Sequence, residues 1–312
     1  MILLVNSGGE TMVETWRTLF AQHAPQLEIR WAYDPDVRPE DVHYAFMWTP
    51  RPGFLATLPN LRLILSSGAG VDHITQDQSW PSHVGIVRMG GDETAQKMGE
   101  YVCLGALSML RDLQRAIAGQ RAAHWDHFER PRSARDTRVG VMGLGNLGIK
   151  AAAMLSGLGF QVAGWSRGPK SLPGVECFAG EGERDAFLAR TDILVCLLPD
   201  TPETRGAIRA ETIARLPRGA AVVNVGRGGH VVLPDLVAAL DDGQLSGAML
   251  DVFEQEPLPA DDPAWSHPKI IITPHIASMA SRPARARYVA AAIAAFERAE
   301  TPPNLFDPVR GY

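Results

Sequence analysis

Short, nearly continuous apolar runs alternate with helical patterns along this chain, and that alternation restricts its folding more than any other feature. MILLVN (1–6), LEIRWA (27–32), YAFMW (44–48), LRLILSS (61–67) and GIVRM (85–89) form a first set, separated by helical stretches such as TMVETWRTLFAQH. A long helical segment runs from Glu93 to Ala123. After it come RVGVMG (138–143), QVAGW (161–165), DILVCLL (192–198), AAVVNV (220–225), GAMLDV (247–252) and KIIIT (269–273). Strands this short and this apolar are buried on both faces, which requires a parallel sheet covered by helices on each side. Two sets predict two doubly wound α/β domains, and 312 residues are enough for two ordinary cores. The alanine-rich, amphipathic ending PARARYVAAAIAAFERAE is expected to pack back on the first domain. The boundaries predicted are therefore 1–96 with 283–312 for one domain and 97–282 for the other.

Composition excludes several partners. A net charge of -5, with no run of Lys or Arg, argues against nucleic acid and anionic membrane, so the expected partner is a small molecule. Cys103, Cys177 and Cys196 are widely spaced and odd in number, as expected of free thiols in a reducing cytoplasm. The first residues lack the basic region of a secretory signal, and no run reaches the roughly 18 apolar residues of a membrane span.

Directly after the strand RVGVM stands Gly143-Leu144-Gly145-Asn146-Leu147-Gly148, followed by the helical run IKAAAMLSGLG. In that strand-turn-helix context G-x-G-x-x-G is a dinucleotide-binding pattern. Gly143 permits the tight turn, Gly145 lets a pyrophosphate approach the backbone, and Gly148 allows close helix packing, while the helix start offers amides and positive potential.

A second pattern competes with it. GWSRG, Gly164 to Gly168, reads as G-x-S-x-G, the nucleophile elbow of serine hydrolases, and Asp251 or Glu256 and then His275 follow in the chain order such enzymes use. An elbow must run straight into a helix, however, and Gly168, Pro169, Pro173 and Gly174 oppose one. In a dinucleotide site the same position faces the adenosine ribose, where an acidic residue selects NAD. Ser166, Arg167 and Lys170 stand there instead, and a hydroxyl with two cations suits a 2′-phosphate. NADPH is the expected cofactor, with NADH weaker.

Arg227, Glu256 and His275 each lie just past the carboxyl end of an apolar strand of the second set. In an open parallel sheet that edge faces the ligand crevice, so a cation, an anion and an imidazole can converge beside a nicotinamide and reduce a carbonyl. Trp48, at the end of YAFMW, is predicted to wall the substrate pocket. No metal-ligand spacing is present, and none is needed for this chemistry.

GLGNLG, LLPDTPETRG (197–206), VNVGRGG, LDVFEQEPLP and ITPHIAS resemble, in order and spacing over almost the whole chain, the D-isomer-specific 2-hydroxyacid dehydrogenases. WSRGPKSLPGVECFAG, MLDVFEQEPLP and the ending RGY are similar to the bacterial NADPH-preferring glyoxylate/hydroxypyruvate reductases of that family. The resemblance implies a Rossmann dinucleotide-binding domain inserted in a flavodoxin-like substrate domain. It also implies Arg227 as substrate anchor, Glu256 as partner of the histidine, and His275 as acid/base. Ala69, Gly70 and Val71, in the loop Gly68-Ala-Gly-Val-Asp72, would offer amides to the substrate carboxylate, and consecutive amides in such a turn form an anion nest. Leu198, Pro199 and Asp251 would touch the cofactor. Many relatives carry an aspartate where Ser166 and Arg167 stand, and the wording SMASRPARA after His275 also departs from the commoner one. The activity implied is hydride transfer from NADPH to a small 2-oxoacid, glyoxylate or hydroxypyruvate, giving glycolate or D-glycerate. The segment Glu93–Ala123 with HWDHF (124–128) would serve as the arm of a homodimer. Two other readings stand beside this one: a serine hydrolase using Ser166, Asp251 and His275, and a non-catalytic NADP(H)-binding sensor. A sensor has no need of all three reactive positions.

Overall fold

The computed structural model describes residues 1–129, 131–308 and 311, so two residues of the RGY ending lie outside the described residues. The chain divides into two compact units, Met1–Thr94 with Met279–Tyr312, and Ala95–Ser278.

The first unit is built on β1 (Ile2–Asn6), β2 (Glu28–Trp31), β3 (Val42–Met47), β4 (Leu63–Ser66) and β5 (Gly85–Val87), parallel throughout, in the order β2-β1-β3-β4-β5. This is the flavodoxin-like winding. Side chains alternate between two cores as a period of two demands: Leu3, Val5, Tyr44 and Phe46 enter one, Leu4, Ala45 and Met47 the other. The C-terminal helix Arg282–Glu297 closes the first of these with Ala286, Val289, Ala290 and Ile293, against Trp16 and Phe20.

The second unit contains β6 (Arg138–Met142), β7 (Gln161–Ser166), β8 (Glu176–Ala179), β9 (Ile193–Cys196), β10 (Ala220–Asn224), β11 (Leu245–Leu250) and β12 (Ile270–Ile272). They too are parallel, in the order β12-β11-β10-β9-β6-β7-β8. That is the Rossmann order with one further strand, and its direction of winding reverses between β6 and β9.

Three expectations are corrected. Strand β8 has no counterpart in the apolar pattern, because ECFA is an edge strand whose side chains are at most half-buried. The helical segment Glu93–Ala123 is two helices, Asp92–Arg111 and Leu113–Arg121, divided at Asp112, whose φ of 53° is left-handed, a conformation aspartate tolerates better than most residues. The second crossing between units falls at residue 279 rather than 283. Ser281 caps the helix Arg282–Glu297, and its N–H and hydroxyl donate to the Glu93 carboxylate at 2.7 and 2.9 Å, which ties the turn before that helix to the first unit.

Candidate active site

The glycine loop joins β6 to the helix Asn146–Gly157. Gly143 has φ 103°, and a Cβ there would stand 2.5 Å from the Leu197 carbonyl oxygen. At Gly148 a Cβ would fall inside the Gly143 carbonyl, so the helix packs on the turn only without a side chain. Gly145 differs, since nothing lies within 4 Å of the position its Cβ would take. Two of the glycines let the loop close on itself, and the third keeps space in front of amides whose helix has no acidic residue in its first turn. That cradle fits a pyrophosphate.

At the end of β7 no helix follows Ser166. Its hydroxyl donates to the Gly168 carbonyl at 2.8 Å, and the chain turns into β8. The first glycine of the supposed elbow, Gly164, lies inside β7, where a Cβ would stand 2.6 Å from a methyl group of Leu144, so it serves packing against the glycine loop. Asp251 is buried and its carboxylate accepts from the Thr273 hydroxyl at 2.6 Å and from the amides of Ile276 and Ala277 at 2.9 Å each. The hydrolase reading of Ser166, Asp251 and His275 is therefore overturned: the serine lacks its helix and the histidine is oriented by another acid. Arg167 and Lys170 are exposed on the turn after Ser166, and the charge of Arg167 reaches Glu203, helping the Thr201 hydroxyl hold that carboxyl below its ordinary value.

The three reactive side chains follow β10, β11 and β12, which lie side by side. Nδ1 of His275 is 2.7 Å from Glu256 Oε2, while Glu256 Oε1 accepts the Phe253 amide at 2.9 Å. Burial pushes the Glu256 carboxyl up, but the hydrogen bonds of His275 and Phe253 and the charges of His275 and Arg227 outweigh it, and the net shift is downward. The carboxylate thus stays ionised, with the guanidinium of Arg227 within electrostatic reach. Gly228 brings the two loops together, since a Cβ there would collide with the backbone of Phe253 and Glu254.

His275 has φ 53°, a left-handed backbone that is costly for a residue with a Cβ. It is held there by its N–H to the Asp251 carbonyl, 2.8 Å, and by the grip of the Asp251 carboxylate on the next two amides. Tyr101 completes the support through its hydroxyl on Thr273. Sequence reasoning missed this scaffold, and also His230 and Asn224, which hold the backbone of Arg227. His230 Nδ1 accepts the Arg227 amide at 3.0 Å, and Asn224 donates to the Arg227 carbonyl at 2.9 Å. The signal for both was their place within VNVGRGGH.

Leu198 is buried, and the Pro199 carbonyl receives the Thr204 hydroxyl at 2.6 Å. In the first unit, Trp48 follows β3, is 40% exposed and stacks on His73 with ring centroids 4.4 Å apart. Gly68 makes that possible, because a Cβ there would meet the indole at 2.6 Å. Ser66 Oγ lies 2.9 Å from the carbonyls of Gly68 and Gly70, which fastens the loop carrying Ala69, Gly70 and Val71. Among the described residues, no group of His, Cys, Asp and Glu is placed to hold a metal ion.

A doubly wound nucleotide unit with a carboxylate-imidazole pair at its carboxyl sheet edge is that of a pyridine-nucleotide dehydrogenase. The profile described as "D-isomer specific 2-hydroxyacid dehydrogenase, NAD binding domain" matches residues 104–277. The chain is 38% identical over 305 residues to the glyoxylate/hydroxypyruvate reductase A of Serratia proteamaculans, covering 96% of each. A D-isomer specific 2-hydroxyacid dehydrogenase from Xanthobacter autotrophicus, solved with NADPH and MES, superposes with a TM-score of 0.93 at 40% identity, over 100% of this chain and 99% of that one. The NADPH-dependent glyoxylate/hydroxypyruvate reductase of Sinorhizobium meliloti, solved with NADP and sulfate, gives 0.90 at 36%, with the same coverage. The chain belongs to the D-isomer specific 2-hydroxyacid dehydrogenase family.

Proposed function

We propose that this chain is an NADPH-dependent reductase of small 2-oxoacids, acting on glyoxylate and hydroxypyruvate to give glycolate and D-glycerate. The observation that carries the reading is the ionised Glu256 paired at 2.7 Å with His275 beside the charge of Arg227. When bound, NADPH supplies the hydride for the keto carbon. The loop Gly143–Gly148 holds its pyrophosphate, Ser166, Arg167 and Lys170 its 2′-phosphate, and Leu198, Pro199 and Asp251 line the remainder. Arg227 binds the substrate carboxylate and carbonyl oxygen, and the amides of Ala69, Gly70 and Val71 offer further donors to the carboxylate. Because Nδ1 of His275 is engaged by Glu256, the proton given to the forming alkoxide comes from Nε2, and the carboxylate stabilises the imidazolium that carries it. Trp48 limits the size of the group on the keto carbon. NADH serves more weakly.

The same reading makes the protein a cytoplasmic homodimer, without nucleic-acid or membrane partners. Free Cys103, Cys177 and Cys196 support a reducing compartment, and among the described residues no helix is long and apolar enough to cross a membrane. Leu104, Leu107 and Leu113 are exposed along the helices Asp92–Arg111 and Leu113–Arg121, and Trp125 beyond them is 93% exposed, a surface suited to a second copy. The test is NADPH oxidation with glyoxylate, hydroxypyruvate and pyruvate, read against NADH. Absence of turnover with every 2-oxoacid defeats the proposal, and light scattering decides the dimer.

A further inference from the structure

We propose that His230 is a positioning residue for the substrate anion: its imidazole, held in one tautomer, fixes the backbone of Arg227 against the loop that carries Pro199. His230 is fully buried in the short turn Gly228–His230. Nδ1 accepts the Arg227 amide at 3.0 Å, so that nitrogen carries no proton. The proton is therefore on Nε2, which donates to the Pro199 carbonyl at 3.0 Å. The thiol of Cys196 lies 3.6 Å from Nδ1, and burial pushes its pKa up to about 12, so it stays a neutral donor toward the same nitrogen. A protonated imidazole or the other tautomer would set two donors face to face.

No other common side chain both accepts at the near nitrogen and donates at the far one across a rigid ring. The Arg227 carbonyl is gripped independently by Asn224 at 2.9 Å, and Nη1 of Arg227 folds onto the Gly226 carbonyl at 2.8 Å. Gly226 permits this, since a Cβ there would stand 2.8 Å from His230 Nδ1 and 3.1 Å from the Leu198 carbonyl oxygen. The guanidinium is thus presented from a backbone fixed at both ends. One of those ends is anchored through His230 to the segment following β9, on the neighbouring strand.

The inference rests on the role proposed for Arg227, and its test is chosen so that the two fail separately. His230→Gln keeps a donor for Pro199 but offers no acceptor at the place of Nδ1; His230→Asn keeps an acceptor for Arg227 but cannot reach Pro199. Oxalate, a dianion that needs no turnover, is titrated calorimetrically into the NADPH complex of each variant. His230→Gln is expected to weaken oxalate binding about tenfold and to raise KM for glyoxylate alike, with NADPH affinity unchanged. His230→Asn, which keeps the contact to the Arg227 amide and loses only the anchor on Pro199, should weaken both by clearly less. Equal effects of the two substitutions, or a folded His230→Gln protein with unaltered oxalate affinity, overturn the proposal. An enzyme that reduces no 2-oxoacid yet shows this split in oxalate binding defeats the reductase reading instead. Should neither variant fold, nitrogen NMR of histidine-labelled unmodified protein decides: an Nε2–H tautomer at neutral pH is required, and an Nδ1–H or doubly protonated ring contradicts it.

Discussion

His275 Nδ1 and Glu256 Oε2 stand 2.7 Å apart although 19 residues separate them. Their loops leave β12 and β11, which pair in parallel, so both emerge from the same edge of the sheet. The imidazole has its acceptor from the fold, and Asp251 beneath it holds the left-handed backbone that turns the ring toward that acceptor.

Replacing His275 with Ala is expected to lower kcat/KM about 10² to 10⁴-fold at every pH, the usual loss of a positioned general acid. Glu256→Gln should act differently. The acid is still present in that variant but loses the carboxylate that orients its ring at 2.7 Å, so kcat/KM should fall by less than in His275→Ala. Steady-state kinetics of the two variants check this, and a Glu256→Gln enzyme as active as the unmodified one contradicts it.

The same pair has a consequence for stability. The Glu256 carboxyl is lowered from 4.5 in the folded protein, so its contribution is fully present above that value and is lost as pH falls through the lowered one. The stability difference between the unmodified protein and Glu256→Gln should be constant near neutrality and shrink below pH 4.5. Urea unfolding at a series of pH values measures it.

The glycines of the nucleotide loop should separate by role. Gly148→Ala drives a Cβ into the Gly143 carbonyl and is expected to destabilise the second unit by several degrees in Tm. Gly145→Ala meets nothing in the protein, so Tm should hold while NADPH affinity drops. Thermal melts with fluorescence titration distinguish them; a Gly145→Ala protein that binds NADPH normally removes the pyrophosphate from this loop.

Arg167→Asp should erase most of the preference for NADPH, since a charge-assisted phosphate contact contributes roughly 1.5 to 3 kcal/mol. The ratio of kcat/KM with NADPH to that with NADH is the measurement. Equal efficiency with both cofactors in the unmodified enzyme refutes the assignment.

Trp48→Ala should admit bulkier 2-oxoacids. The indole is packed on His73 and Gly68 rather than enclosed in a core, so the variant is expected to fold. A folded variant with an unaltered substrate profile excludes Trp48 from the pocket.

The backbone plan was legible because burial on both faces of a parallel strand demands a largely apolar run, which every inner strand has and which the edge strand β2, EIRW, keeps at Ile29 and Trp31. β8 escaped because an edge strand meets that demand on too little of its surface. Glycine positions were equally legible, since a left-handed turn and a backbone-on-backbone contact are needs of the chain itself, met by one residue type at Gly143 and Gly148. Even the placement of Arg227, Glu256 and His275 beyond strand ends was readable. What the residue pattern without the family resemblance could not supply was the partner of His275, Glu256 rather than Asp251; that Asp251 holds the loop and His230 grips Arg227 was legible in neither. Those choices depend on the lateral order of β9 to β12 and on distances of a few tenths of an ångström between loops far apart in the chain, and only packing in three dimensions sets them.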